Sequence, residues 1–145
     1  MKIKTISLGC DHAGYDLKEK VKNKLESLEY KLFDKGTNSG ESVDYPKFGH
    51  LVGLSVSSGE SQRGIIICGS GIGISISANK IHGVRAALCT SIEHAKLSRQ
   101  HNDANILALG SRLTSEELVF KIIEVWLTSD FEGGRHLDRI NQIEK

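Results

Sequence analysis

Cysteine is scarce and follows no pairing pattern: Cys10, Cys68 and Cys89 make three, an odd number with no C-x-x-C spacing. That excludes a secreted disulfide framework and a four-cysteine zinc site, and makes a reducing compartment the simpler setting. An excess of charge of one sign is also missing. The formal net charge of +1 leaves no global field to hold nucleic acid or an anionic membrane, so anion recognition has to come from locally clustered groups. Apolar runs such as Ile65 to Cys68 are far too short to span a bilayer, and the start MKIKTISLGCDHAG reads as a strand rather than a signal peptide. A cytoplasmic protein is expected. Low-complexity tracts, internal repeats and linkers are absent as well. The 145 residues, 26% of them charged, suit one domain over residues 1–145 that buries a core without disulfides or a structural metal.

Short runs rich in β-branched residues predict strands at Ile3–Leu8, Gly64–Cys68, Gly83–Leu88 and Asn105–Leu109, with a weaker one at Tyr30–Phe33. Helical spacing lies between and after them: Leu17, Val21, Leu25 and Leu28 share one face, as do Leu118, Ile122, Val125 and Trp126. Capping boxes at Thr90–Glu93 and Thr114–Glu117 predict two helix starts. Alternating βα units with crossovers of one hand lead to an α/β fold, a Rossmann-like open sheet of five parallel strands with helices on both faces. The tail from Asp130 to Lys145 reads as a C-terminal helical extension that packs on a partner subunit.

In such sheets ligands bind outside the carboxyl ends of the strands, which selects Cys10-Asp11-His12, Cys68-Gly69-Ser70 and Gly110-Ser111-Arg112. The run Gly64 to Ile74 reads as a buried strand entering a glycine-rich turn and a helix, where backbone N–H groups can converge on an anion. It has neither the Lys-Ser/Thr pair of a Walker loop nor the G-x-G-x-x-G spacing, and tight packing explains the glycines as well. Cys68 at the mouth of this loop is either a thiolate base or nucleophile, or a core-filling thiol; Cys10 and Cys89 fit the core reading better. Asp11 and His12 either face the cleft or, for Asp11, cap the next helix. His101, within Ser98–Asp103, is either a general acid or a charge suited to a helix C-terminus. Arg135 and Arg139, spaced i, i+4 after Gly133-Gly134, form with Arg112 either a phosphate clamp or a solvated basic face. His50, His82 and His94 match no metal-ligand spacing, and no metal is expected.

Taken in order, Gly9–His12, Asp34–Thr37, Asp44-Tyr45-Pro46, the Cys68–Gly73 loop, Ser98–Asp103, Gly110–Arg112 and Glu132–His136 closely resemble ribose-5-phosphate isomerase type B over nearly the whole chain. The resemblance implies an aldose-ketose isomerase of the pentose phosphate pathway that passes through an enediolate without metal or organic cofactor. It makes Cys68 the base that carries a proton between C2 and C1 of the sugar, and His101 the group that opens the furanose ring. The backbone of Gly69, Ser70, Gly71, Ile72 and Gly73 would hold the enediolate oxygens. His12, Arg112, Arg135 and Arg139 would receive the phosphate, Asp11 and Asn102 would line the sugar, and Asp44, Tyr45 and His136 would stand close by. Sites shared between subunits are implied, in a homodimer or homotetramer. Related isomerases act on galactose 6-phosphate or allose 6-phosphate, and in the galactose-6-phosphate enzymes the cysteine and histidine motifs divide between two different subunits. Here Cys68 and His101 share one chain, which favours a homomeric enzyme on ribose 5-phosphate. A non-catalytic sugar-phosphate-binding module is the remaining alternative, since a parallel sheet alone permits it.

Overall fold

The computed structural model describes residues 2–144. Its strands are β1 (Thr5–Cys10), β2 (Lys31–Asp34), β3 (Arg63–Cys68), β4 (Ala86–Leu88) and β5 (Ile106–Gly110), and all pairings are parallel in the order β2-β1-β3-β5-β4. The helices are α1 (Tyr15–Ser27), α2 (Tyr45–Ser57), α3 (Ile72–Asn79), α4 (Ile92–Gln100), α5 (Glu116–Thr128) and α6 (Arg135–Ile140), with a short 3-10 turn at His12–Gly14. The expected fold is therefore observed, including the terminal helix. No helix among the described residues is long and apolar enough to cross a membrane.

Alternation along the buried strands divides the core between the two faces of the sheet. Ile65 and Ile67 of β3 and Leu107 and Leu109 of β5 pack against Leu17, Val21 and Leu25 of α1 and Val119, Ile122, Ile123 and Trp126 of α5. Their neighbours Ile66, Cys68, Ile106 and Ala108 pack against Phe48 and Val52 of α2 and Ile74 and Ala78 of α3. Successive strand side chains point to opposite faces, so Cys68 is delivered to the α2–α3 side.

Several details differ from the sequence-based expectations. Strand β1 starts at Thr5 rather than Ile3, and β4 is confined to Ala86–Leu88 because Gly83 turns with a φ of 85°. Leu28 ends α1 as its C-cap and stays exposed instead of joining the buried face. Both helix caps sit one residue later than the predicted boxes. Ser91 accepts from the His94 N–H at 3.1 Å and Ser115 from the Leu118 N–H at 3.3 Å. Thr114 is unavailable as a cap because it is buried and its N–H is tied to the Gly110 carbonyl. Glu93 and Glu117 then lie in the first helical turn, where they favour the helix dipole instead of closing a box.

The Asp34–Thr37 run joins β2 to the rest of the sheet. Lys18, 1% exposed, donates to both oxygens of Asp34 at 2.6 and 2.8 Å, and Lys22 and the Gly36 N–H donate to the same carboxylate. Burial alone would raise the Asp34 pKa, but Lys18, the Gly36 N–H and Lys22 together outweigh it and hold the carboxyl below its ordinary value. Beyond this ion pair, Cys10 N–H donates to the Gly36 carbonyl and Thr37 N–H to the Cys10 carbonyl, both at 2.8 Å. Asp34→Asn would leave the buried Lys18 ammonium with only the Glu19 carboxylate, 3.6 Å away, to balance it, and is expected to cost about 3 kcal/mol near neutral pH. A depressed carboxylate stabilises above its unfolded pKa and loses that contribution as pH falls through the folded one. Denaturant titrations of wild type and variant should therefore diverge at neutral pH and converge in acid below the carboxylate range.

Candidate active site

Strands β1 and β3 are neighbours whose onward connections leave in opposite directions across the sheet, and their carboxyl ends form a crevice at this switch point. A cleft of about 610 Å³ opens there, lined by Asp11, Tyr45, Cys68, Gly69, Ser70, Ile72, Gly73, Ile76, Arg112 and Leu113. The loops around it are bonded to one another. Asp11 N–H donates to the Ile67 carbonyl at 3.2 Å, Ser111 N–H to the Cys68 carbonyl at 2.9 Å, and Arg112 N–H to the Gly69 carbonyl at 3.0 Å. Ser111 Oγ reaches across to the Ala13 carbonyl at 2.7 Å. Asp11 does cap, as its alternative reading held, since its Oδ1 accepts from the Ala13 and Gly14 N–H groups. It lines the cleft at the same time.

Cys68 is 4% exposed at the floor of this cleft, and the Gly71 N–H donates to its Sγ at 3.1 Å. The other thiols sit in a different environment. Burial pushes Cys10 up to about 12 and Cys89 up to about 11, so both stay protonated core thiols. In the loop, Ile72 N–H is occupied by Ser70 Oγ at 3.2 Å, and Gly71 adopts a φ of 78°. A Cβ at Gly71 would stand 2.6 Å from Leu88 Cδ1 and 2.8 Å from the Leu109 carbonyl carbon, so only glycine fits this turn. Tyr45, at the start of α2, lies across Gly73, and the Arg112 guanidinium lies against Gly69. His12 stands beside the cleft and accepts the Val43 N–H at Nδ1, 3.2 Å away. Asp44 is the N-cap residue of α2.

The remaining candidates lie elsewhere. In a parallel sheet the helices run back against the strands, so residues that follow a helix lie at the amino edge. His101 and Asn102, which follow α4, occupy that edge, as does α6 with Arg135, His136 and Arg139. From Asn105, just before β5, to Gly110, which pairs with Cys68, the chain spans about 17 Å at the strand rise. One chain thus brings Asp11, Tyr45, Cys68, the glycine loop and Arg112 together, but not His101, Asn102, Arg135 or Arg139 with them. The amino-edge group is organised in its own right. His101 and His136 stack with ring centroids 4.4 Å apart, and Glu132 Oε1 lies 3.5 Å from His136 Nε2. Buried Arg99 donates to Asp103 Oδ1 at 2.7 Å and to the Ala104 carbonyl at 2.8 Å, fixing the turn that carries His101. Arg85 holds the Asn102 carbonyl at 2.9 Å. Arg112, Arg135 and Arg139 are exposed and form no ion pair among the described residues, which leaves their guanidiniums available to an anion.

Sequence reasoning did not single out Glu132, although its i, i+4 spacing to His136 was a readable signal. Arg85 and Arg99 were also missed as scaffolding for the His101 turn; the i, i+4 spacing of Arg99 to Asp103 was readable, whereas no local pattern marks Arg85.

Residues 6–143 match the model of a family described as Ribose/Galactose Isomerase. The chain is 48% identical over 141 residues to ribose-5-phosphate isomerase B of Escherichia coli (strain K12), an alignment covering 97% of this chain and 95% of that one. It is similar to the solved structure of Clostridium thermocellum ribose-5-phosphate isomerase B, with a TM-score of 0.95, 51% identity and coverage of 96% and 94%. It is also similar to the Mycoplasma genitalium ribose-5-phosphate isomerase B with bound ribulose-5-phosphate, with a TM-score of 0.93, 39% identity and coverage of 99% and 95%.

Gly71→Ala would place an L side chain at a positive φ against backbone and is expected to cost about 1–3 kcal/mol. Thermal unfolding followed by circular dichroism should show a lowered Tm, and an unchanged Tm would mean the loop relaxes without cost.

Proposed function

The chain belongs to the ribose/galactose isomerase family, and from that premise we propose that it interconverts ribose 5-phosphate and ribulose 5-phosphate, with Cys68 as the base. The observation that carries the reading is Cys68 at the floor of the switch-point cleft, its Sγ oriented by the Gly71 N–H. His101 opens the furanose ring by giving a proton to the ring oxygen as the C1–O bond breaks and the C1 hydroxyl loses its own. Cys68, as thiolate, then takes the C2 proton. The electron pair forms the C1–C2 double bond, and charge develops on the former carbonyl oxygen, where N–H groups of the Gly69 to Gly73 loop stabilise it, those of Gly71 and Ile72 being engaged by Cys68 Sγ and Ser70 Oγ before substrate binds. The O2 proton passes to O1, and as Cys68 returns its proton to C1 the O2 oxyanion collapses to the C2 carbonyl, which gives the ketose. Asp11 and Asn102 hold the sugar, while His12, Arg112, Arg135 and Arg139 take the phosphate. Asp44, Tyr45 and His136 bound the site. Neither metal nor organic cofactor enters this sequence.

Because Cys68 and His101 lie at opposite edges of one sheet, the complete site is built from two copies, with the carboxyl edge of one facing the amino edge of the other. Apolar side chains at the cleft support this homodimer: Ile72 is 51% exposed, Ile76 55% and Leu113 71%, an unusual rim for a surface that stays wet. Pairing two such dimers gives the homotetramer. Three free thiols fit a reducing, cytoplasmic setting.

Purified protein offered ribose 5-phosphate, allose 6-phosphate and galactose 6-phosphate should show the highest kcat/KM for the pentose; preference for either hexose overturns the substrate assignment. Cys68→Ser should lower kcat by about 10²–10⁴, the scale of general-base catalysis, while ribose 5-phosphate still binds. The shared site has its own test. Cys68→Ser and His101→Asn chains are each expected to be inactive alone. Co-expressed, half of the dimers are mixed and each carries one intact site, so activity should return to roughly a quarter of wild type. No recovery would place both residues of each site in a single chain.

A further inference from the structure

Three chain segments converge at the amino edge on a donor set that the isomerisation uses only in part. His101 is the C-cap of α4, Glu132 lies in the connection after α5, and His136 is in the first turn of α6. One donor atom from each residue lies within 4.8 Å of the other two. Backbone bonds fix the arrangement: Glu132 N–H donates to the Gln100 carbonyl and His136 N–H to the Gly133 carbonyl, both at 3.1 Å. The imidazole planes are 12° from parallel with centroids 4.4 Å apart, so the rings have to turn out of the stack for a nitrogen of each to reach one ion beside the carboxylate.

We propose that His101, His136 and Glu132 bind one divalent transition-metal ion of the zinc class, and that the bound ion inhibits the enzyme. Two imidazole nitrogens and one carboxylate oxygen form a donor set that zinc accepts while keeping a fourth position for water. Imidazole ligands disfavour magnesium and calcium, which prefer all-oxygen sites. Zinc bonds of about 2.0–2.2 Å set tetrahedral donors about 3.3 Å apart. The Glu132–His136 pair, at 3.5 Å, is already near that spacing. The Glu132 side chain is 51% exposed and has room to swing onto the remaining position. The inhibitory consequence rests on the reading of His101 as the ring-opening group, because a metal on its ring nitrogen removes the site that exchanges a proton with the sugar. The ion is therefore an occupant that competes with catalysis, not a cofactor.

Calorimetric titration of zinc chloride into full-length, chelator-treated and dialysed protein should give one ion per chain. Glu132→Gln and His136→Asn should each weaken binding by about tenfold or more, at least the loss seen when an outer partner of a metal ligand is removed. Absence of zinc uptake, or uptake unchanged in both variants, overturns the site. In a separate arm, zinc should suppress turnover of ribose 5-phosphate by wild type, excess EDTA should restore it, and Glu132→Gln should need correspondingly more zinc. Tight zinc binding without inhibition overturns the inhibitory role. A metal-free enzyme with no turnover counts against the isomerase reading instead, and the calorimetry still decides the metal site.

Discussion

Parallel pairing is the constraint on which the other features of this molecule depend. With β1 to β5 all running one way, every loop that follows a strand reaches the carboxyl edge and every loop that follows a helix returns to the amino edge. Cys68, Asp11 and Arg112 follow strands; His101 and Asn102 follow α4, and Arg135 and Arg139 lie on α6 beyond the end of α5. No rotamer change moves a side chain across a strand length of about 17 Å. The chemistry assigned to Cys68 and His101 therefore asks for a second copy as a matter of topology, before any interface is considered.

The same sheet explains why the carboxyl-edge half is rigid. Both faces of β3 and β5 are covered, which leaves these strands no freedom of register, since a one-residue slip would send Cys68 to the α1–α5 side and Ile67 into the cleft. Hydrogen bonds from Asp11, Ser111 and Arg112 back to the end of β3 and its loop then fix the three strand ends relative to one another. A base held this way needs little reorganisation as charge moves onto the substrate oxygen. At the amino edge a buried arginine does the equivalent work, Arg99 bridging Asp103 and Ala104 below His101.

Much of the fold was legible in the sequence because strands buried on both faces appear as unbroken apolar runs, as Ile65 to Cys68 does. Edges were read less well. Thr5 replaces Ile3 as the start of β1, and Ser91 and Ser115 cap in place of Thr90 and Thr114, because neighbouring hydroxyls compete and tertiary bonds choose between them. The carboxyl-edge group was legible from the strand-end rule. That rule is silent about the amino edge, so His101, Arg135 and Arg139 were read from local pattern alone, each with a competing reading, and only the resemblance chose between them. Glu132 and Arg99 also join α4 to the segment after α5, Arg99 to the Ser129 carbonyl and the Glu132 N–H to the Gln100 carbonyl, contacts about thirty residues apart that no local pattern encodes.

The proposed division of the site between two copies would also solve a problem of water. An enediolate is protonated by any solvent that reaches it, and a cleft as open as the one above Cys68 in a single chain would admit solvent freely. In the proposed dimer a second copy would close it, excluding water with surface the chain already presents, the exposed Ile72, Ile76 and Leu113, and would bring the exposed Arg135 and Arg139 to the rim. On the proposed roles, binding energy from the remote phosphate would hold the sugar against Cys68, so the arginines would assist proton transfer without touching the carbon that loses its proton. A two-fold relation between the proposed copies would generate two such sites at once, so burying one interface would complete both.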